Sequence, residues 1–136
     1  MPSTPLVPLA KGKPLDTARW IAKGDAICAR ANAKVVANPA RSVRDFPRVL
    51  PQLALYIRAE AAELAKLVPP AGRTHDWVRI VNDVQMRSRY ASELAQLVQA
   101  NKATAISRQF HLLNLVTEDL LTTAQRGGFK RCSKAS

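Results

Sequence analysis

An all-α fold is predicted for these 136 residues: an antiparallel four-helix bundle, up-down-up-down, closed by one disulfide. Three observations predict it. Apolar residues recur at spacings of three and four in four successive segments separated by breakers. Aromatics are only 5% of the chain, so Ala, Leu and Val supply the bulk, which suits close-packed helices better than a sheet sandwich. Two cysteines, Cys28 and Cys132, bracket almost the whole helical pattern. A bond between them closes a loop of roughly 100 residues, a constraint worth roughly 4–5 kcal/mol in the chain-entropy model, and implies an oxidising compartment.

Residues 1–13 contain Pro2, Pro5 and Pro8 and read as a flexible lead-in or linker. Residues 14–132 form the bundle domain and 133–136 a tail. The first helix, 15–37, places Ile21, Gly24, Cys28, Ala31 and Val35 on one seam and ends at Asn38-Pro39, because the residue before proline is pushed out of the α region. The second, 47–68, turns Leu50, Leu53, Ile57, Ala61, Leu64 and Val68 inward. Its two prolines, Pro47 and Pro51, fall near the start, and Pro69-Pro70 and Gly72 close it. Thr74 is the expected N-cap of the third helix, with Asp76 in its first turn. Trp77, Val81, Val84, Ser88, Ala91, Ala95 and Val98 form its inner face. Arg79, Asp83 and Arg87 read as a solvent-side ladder of alternating charge, and Asn101 marks the end. The fourth, 103–126, buries Ile106, Phe110, Leu113, Val116, Leu120 and Ala124, with Gly127 or Gly128 as a left-handed C′ residue. In this topology the first and fourth helices are neighbours. A short return after Gly128 then brings Cys132 to Cys28, which is the internal argument for the bond.

The net charge of +11 lies mainly at the chain ends. Residues 1–44 carry eight bases against two acids, residues 45–100 seven against six, and residues 101–136 six against two. On the first helix Arg19, Lys23, Arg30 and Lys34 share a face, and the bundle topology is expected to bring Arg126, Lys130 and Arg131 near them. The seven together are a candidate anion-binding patch toward anionic lipid or an envelope polymer. A solvated basic face is the plainer reading.

The run Trp20-Ile21-Ala22-Lys23-Gly24-Asp25-Ala26-Ile27-Cys28-Ala29-Arg30-Ala31-Asn32-Ala33 and the ending Gly128-Phe129-Lys130-Arg131-Cys132 are similar to the two ends of a group of small actinobacterial envelope proteins, secreted or of lipoprotein type. The resemblance covers about 20 residues at the two ends and the middle matches only as a generic helical pattern. It implies a secreted, membrane-tethered or lipid-anchored helical domain with a Cys28–Cys132 bond, and no known activity. Met1–Ala10 shows neither the basic start nor the continuous apolar run of a signal peptide, and this chain has no lipid-attachment cysteine.

Catalytic signatures are thin. His75 and His111 are the only histidines. His75-Asp76 reads as an exposed helix start. No metal-binding spacing occurs, and the absence of Glu-x-x-His argues against a di-metal bundle. Glu60 and Glu63 read as surface ion-pair partners of Arg58 and Lys66. Asp25 and Asn32 flank Cys28 at −3 and +4. They either hydrogen-bond the returning C-terminal segment or line a small polar site beside the disulfide. The sequence thus predicts a non-enzymatic, cofactor-free extracytoplasmic binding or structural module at the cell envelope. The alternative is a cytosolic, nucleic-acid-associated basic helical protein with free thiols, supported by the pI near 10.5 but by no recognition motif.

Overall fold

A computed structural model describes residues 4–134. Asp16 starts α1 (Thr17–Ala37) as its N-cap, its carboxylate accepting the Arg19 N–H at 2.8 Å. Asn38 closes it, donating from Nδ2 to the Lys34 carbonyl at 3.0 Å. A 3₁₀ turn, Val43–Asp45, leads into α2 (Phe46–Leu64), and a bend through residues 65–73 leads into α3 (Thr74–Gln99). The turn to α4 (Ala103–Arg126) is made by Asn101 at φ 55°, a conformation Asn tolerates better than most residues. No strand occurs among the described residues. Thr74 is the first helical residue of α3. The N-cap position belongs to Arg73, and no side chain caps the end.

α2 stops at Leu64, four residues short of the apolar pattern. Lys66 and Leu67 donate to the carbonyls three residues back. Pro69 and Pro70 have no N–H for the carbonyls of Ala65 and Lys66, which leaves Ala65 O and Val68 O free for other donors. Ala65 O accepts the Ala10 N–H at 2.8 Å and Val68 O the Leu15 N–H at 3.1 Å. Asn82, buried on α3, accepts the Leu6 N–H at 2.8 Å and donates to Thr4 O at 3.0 Å. One side-chain amide thus satisfies a donor and an acceptor of the extended chain. Val7, Leu9 and Leu15 pack on the core. The expected flexible lead-in is therefore, from residue 4 onward, a strap pinned across α2 and α3. Residues 1–3 of that expectation, and 135–136 of the expected tail, lie outside the described residues.

The helices pack in chain order, α1 on α2, α2 on α3 and α3 on α4. Paired residues run in opposite order along neighbours: Ala54 meets Ser88 while Leu67 meets Trp77, and Gln109 meets Glu93 while Asp119 meets Arg79. The backbones of α1 and α4, expected to be neighbours, stay apart, though Ile27 and Cys28 share one core cluster with Leu120 and Ala124. Three rings occupy the space instead. Trp20 on α1, Trp77 on α3 and Phe129 beyond α4 lie with centroids 4.7–5.8 Å apart. Residues 127–134 fill the rest of the gap.

Around these rings Ile27, Ile57, Leu64, Ile80, Val81, Val84 and Leu120 form the main core. A second cluster, centred on Leu50, Leu94 and Ala95, is covered by Phe46, Ile106, Phe110 and Leu113. Of the expected inward-facing residues, Ile21, Val35, Leu53, Val68, Val98, Ile106, Phe110, Leu113 and Val116 are only half-buried. The first half of α4 meets α3 but has no α1 beside it, so its apolar seam is covered on one side.

Candidate functional site beside the disulfide

Cys28 and Cys132, 104 positions apart, are bonded with Cα atoms 5.2 Å apart. The chain reaches this geometry through two glycines. Gly127 ends α4, and Gly128 turns the backbone at φ +91°, a region L side chains avoid. Phe129 N–H then bonds Ala124 O at 3.0 Å, and the ring enters between Trp20, met edge-on, and Trp77, on which it stacks. Gly24 admits it, since a Cβ there would stand 2.6 Å from Phe129 Cε1.

Asp25 completes the docking. Its carboxylate accepts the N–H groups of Lys130 at 3.0 Å, Arg131 at 2.8 Å and Cys132 at 3.2 Å. Three successive donors that would otherwise be unpaired converge on one charged acceptor. Of the two roles open to Asp25, it fills that of tail anchor.

Asn32 borders a cavity of about 10 Å³, about the size of one water molecule. The cystine, Glu60, Arg87, Arg131 and Lys134 share its walls with Ile80, Val84 and Leu120. Glu60 is buried, so its expected surface pairing is corrected; Glu63 alone faces out, 3.1 Å from Arg30. Burial pushes the Glu60 carboxyl up to about 7, against the opposing pull of Arg87. Burial likewise lowers the Arg87 pKa, and its Nε is buried without a hydrogen-bond partner.

Since the folded state holds the Glu60 proton more tightly than the unfolded chain, stability falls as pH rises from about 4.5 to about 7. Glu60→Gln should reduce that slope in thermal melts taken across this range, the remainder coming from Asp83, whose carboxyl is also pushed up. An unchanged slope would mean that Glu60 does not titrate there.

Arg79, Asp83 and Arg87 do not form a solvent ladder. Asp83 is buried and Arg79 half-buried, its guanidinium gripping both oxygens of Asp119 on α4. Burial, together with the neighbouring Asp119 carboxylate, pushes Asp83 up to about 8, while Arg79 holds Asp119 down at about 2. Asp83 Oδ2 is buried without a hydrogen-bond partner, and the Arg79–Asp119 pair is the polar contact that joins α3 to α4 here. Asp76 continues this seam with Arg73 at 3.8 Å and Arg126 at 3.3 Å.

The seven residues of the expected anion patch divide. Arg19 pairs with Asp16, Arg30 with Glu63 and Arg126 with Asp76, and Lys34 lies 5.7 Å from the Tyr56 ring centre. Asp25 and Asn32 each lie two positions beyond a base of the stripe, Lys23 and Arg30, and so about 200° round the helix. The tail that docks on Asp25 therefore leaves Lys130 and Arg131 on the flank of α1 away from Arg19, Lys23, Arg30 and Lys34. Arg30 and Lys34 of the stripe meet α2 through Glu63 and Tyr56, while Arg131 shares the cavity wall with Leu120 of α4.

Chemically, the interior offers a carboxyl pushed up to about 7 by burial and a guanidinium. His75 is exposed, 4.0 Å from Asp76, and His111 lies exposed on α4. Among the described residues no group of three or more His, Cys, Asp or Glu side chains is placed to hold a metal ion. No helix of the described residues is long and apolar enough to cross a membrane. The disulfide suggests an oxidising, extracytoplasmic environment.

Fold and site together define an all-α helical bundle whose C-terminal segment is locked onto its first helix by a cystine, an aspartate and an aromatic plug. No family model, no curated protein and no solved structure matches the chain.

Proposed function

We propose that this protein is an exported, non-enzymatic binding or structural module of the cell envelope, its basic exterior turned toward an anionic partner, lipid or polymer. One observation carries the reading. Eighteen of the 21 Lys and Arg residues are exposed, whereas six of the ten acids are buried or half-buried. Those acids serve internal purposes: Asp25 holds the tail, Asp45 caps the turn before α2, Asp76 and Asp119 bind arginines, and Asp83 and Glu60 face the interior. The surface is thus more basic than the composition. The ends of the molecule that resemble the envelope proteins are also the ones that build the cystine, which favours export over the cytosolic nucleic-acid alternative.

The test is co-sedimentation with anionic and neutral vesicles at low and physiological salt. Wild type should bind only the anionic ones and lose affinity with salt, because exposed charges are screened beyond about 8–10 Å. Lys23→Glu/Arg30→Glu should weaken binding by at least about tenfold, each cation near such a surface contributing about 1 kcal/mol. Equal binding to both vesicle types overturns the reading. Salt-sensitive binding to duplex DNA without vesicle binding promotes the alternative.

A further inference from the structure

The end of the bundle where α1 stops, α2 and α4 begin and α3 stops differs from the rest of the surface. The contact of Phe46 with Phe110, centroids 6.1 Å apart, places the 38–46 connection beside the start of α4. Six exposed bases crowd this end: Lys34, Arg41, Arg44, Arg48, Lys102 and Arg108. Glu93, in the last turns of α3, accepts from Gln109 Nε2 at 2.8 Å; across residues 34–48 and 99–110 the only acid is Asp45. It is occupied, accepting the Arg41 backbone N–H at 2.8 Å and lying 3.6 Å from Arg48.

The same end carries the two most exposed large apolar side chains of the described residues, Val36 at 71% and Val43 at 69%. Val43 sits between Arg41 and Arg44 on an exposed connection, and Val36 lies in the last turn of α1. The opposite end has exposed bases too, Lys11, Lys13, Lys130 and Arg131, but its aromatic cluster is plugged by Phe129 and its most exposed large apolar side chain, Leu6, is only 40% exposed. A soluble anionic polymer asks only for charge. Exposed valines interleaved with arginines match a surface with anionic headgroups above hydrocarbon, where apolar side chains leave water as the cations meet phosphate.

We infer that this end is a docking surface for an anionic phospholipid bilayer, with Val36 and Val43 entering the headgroup layer and Arg41 and Arg44 binding phosphates. The inference rests on the proposed anionic partner and commits it to a membrane. Vesicles of phosphatidylcholine with and without phosphatidylglycerol, and soluble polyphosphate, separate the two ideas. Arg41→Gln/Arg44→Gln should lower affinity for the anionic vesicles about 30-fold. Val36→Ser/Val43→Ser should lower it about tenfold while leaving polyphosphate binding unchanged. All four side chains are exposed, so melting temperatures should not move. A Val43→Trp reporter should shift to the blue on anionic vesicles and not on polyphosphate, against the fully buried Trp20 and Trp77. Vesicle binding that ignores the valine pair, with no blue shift, overturns the docking surface and leaves the charge-driven reading standing. Polyphosphate binding without vesicle binding overturns it in favour of a polymer. Binding to neither removes both.

Discussion

Replacing Cys28 and Cys132 together by alanine should destabilise the fold by about 4–5 kcal/mol, the loop-closure expectation for a cross-link enclosing roughly 100 residues. For a domain of this size that corresponds to a drop of roughly 15 °C in melting temperature. Helicity at low temperature should persist, since α2, α3 and α4 pack through seams that do not involve the cystine. The same drop should follow reduction of the wild-type protein, read by circular dichroism with and without a thiol. The tail has two other attachments, Asp25 and Phe129, and both act locally. Only the disulfide restricts the unfolded chain over its whole length. A melting temperature insensitive to reductant would show that these local contacts alone hold the tail.

Phe129→Ala should cost about 3–5 kcal/mol, the range for emptying a buried aromatic site. The ring is 2% exposed and stands between two fully buried tryptophans, where no neighbouring backbone can close in. Gly24→Ala attacks the same contact from the other side. Its new methyl would overlap the ring, which Trp20 and Trp77 prevent from retreating. The two changes should therefore be strongly non-additive: Gly24→Ala is harmful in the wild type and nearly neutral once Phe129 is alanine. Urea melts of the four proteins in this cycle decide it. Additive losses would mean that Gly24 is needed for some reason other than admitting the ring.

Much of this was legible residue by residue. The four apolar seams predicted the helices, and the breakers at Asn38-Pro39 and Gly127-Gly128 predicted two of their ends, while α2 stops four residues before the end that Pro69-Pro70 suggested. Cys28 and Cys132 announced their own pairing once helix order was assumed. Two buried charges left a signal that composition masks. Glu60 continues Leu53, Ile57 and Leu64 at spacings of four, three and four, and Arg87 continues Ile80, Val84 and Ala91 in the same way. Both stand on apolar seams and both are turned inward. Asp83 has no such signal. Its surroundings are set by Asp119, which α4 brings up to the Arg79 one turn before it on α3.

The sequence by itself determined the local features of this protein: helical segments, their approximate ends, the glycine that turns the chain toward Cys132, and an excess of positive charge. These follow from backbone preferences and periodicity, which act within a few residues. Only the tertiary structure decided that α1 and α4 stand apart, that residues 4–16 are strapped to α2 and α3, and that the acids turn inward while the bases stay out. Those outcomes depend on groups far apart in the chain meeting in space, as Asn82 meets Leu6, Phe129 meets Gly24 and Asp25 meets Arg131. Which ring fills a gap, or which carboxylate gathers stray N–H donors, is settled by volume and hydrogen-bond satisfaction in three dimensions, and no local pattern records it.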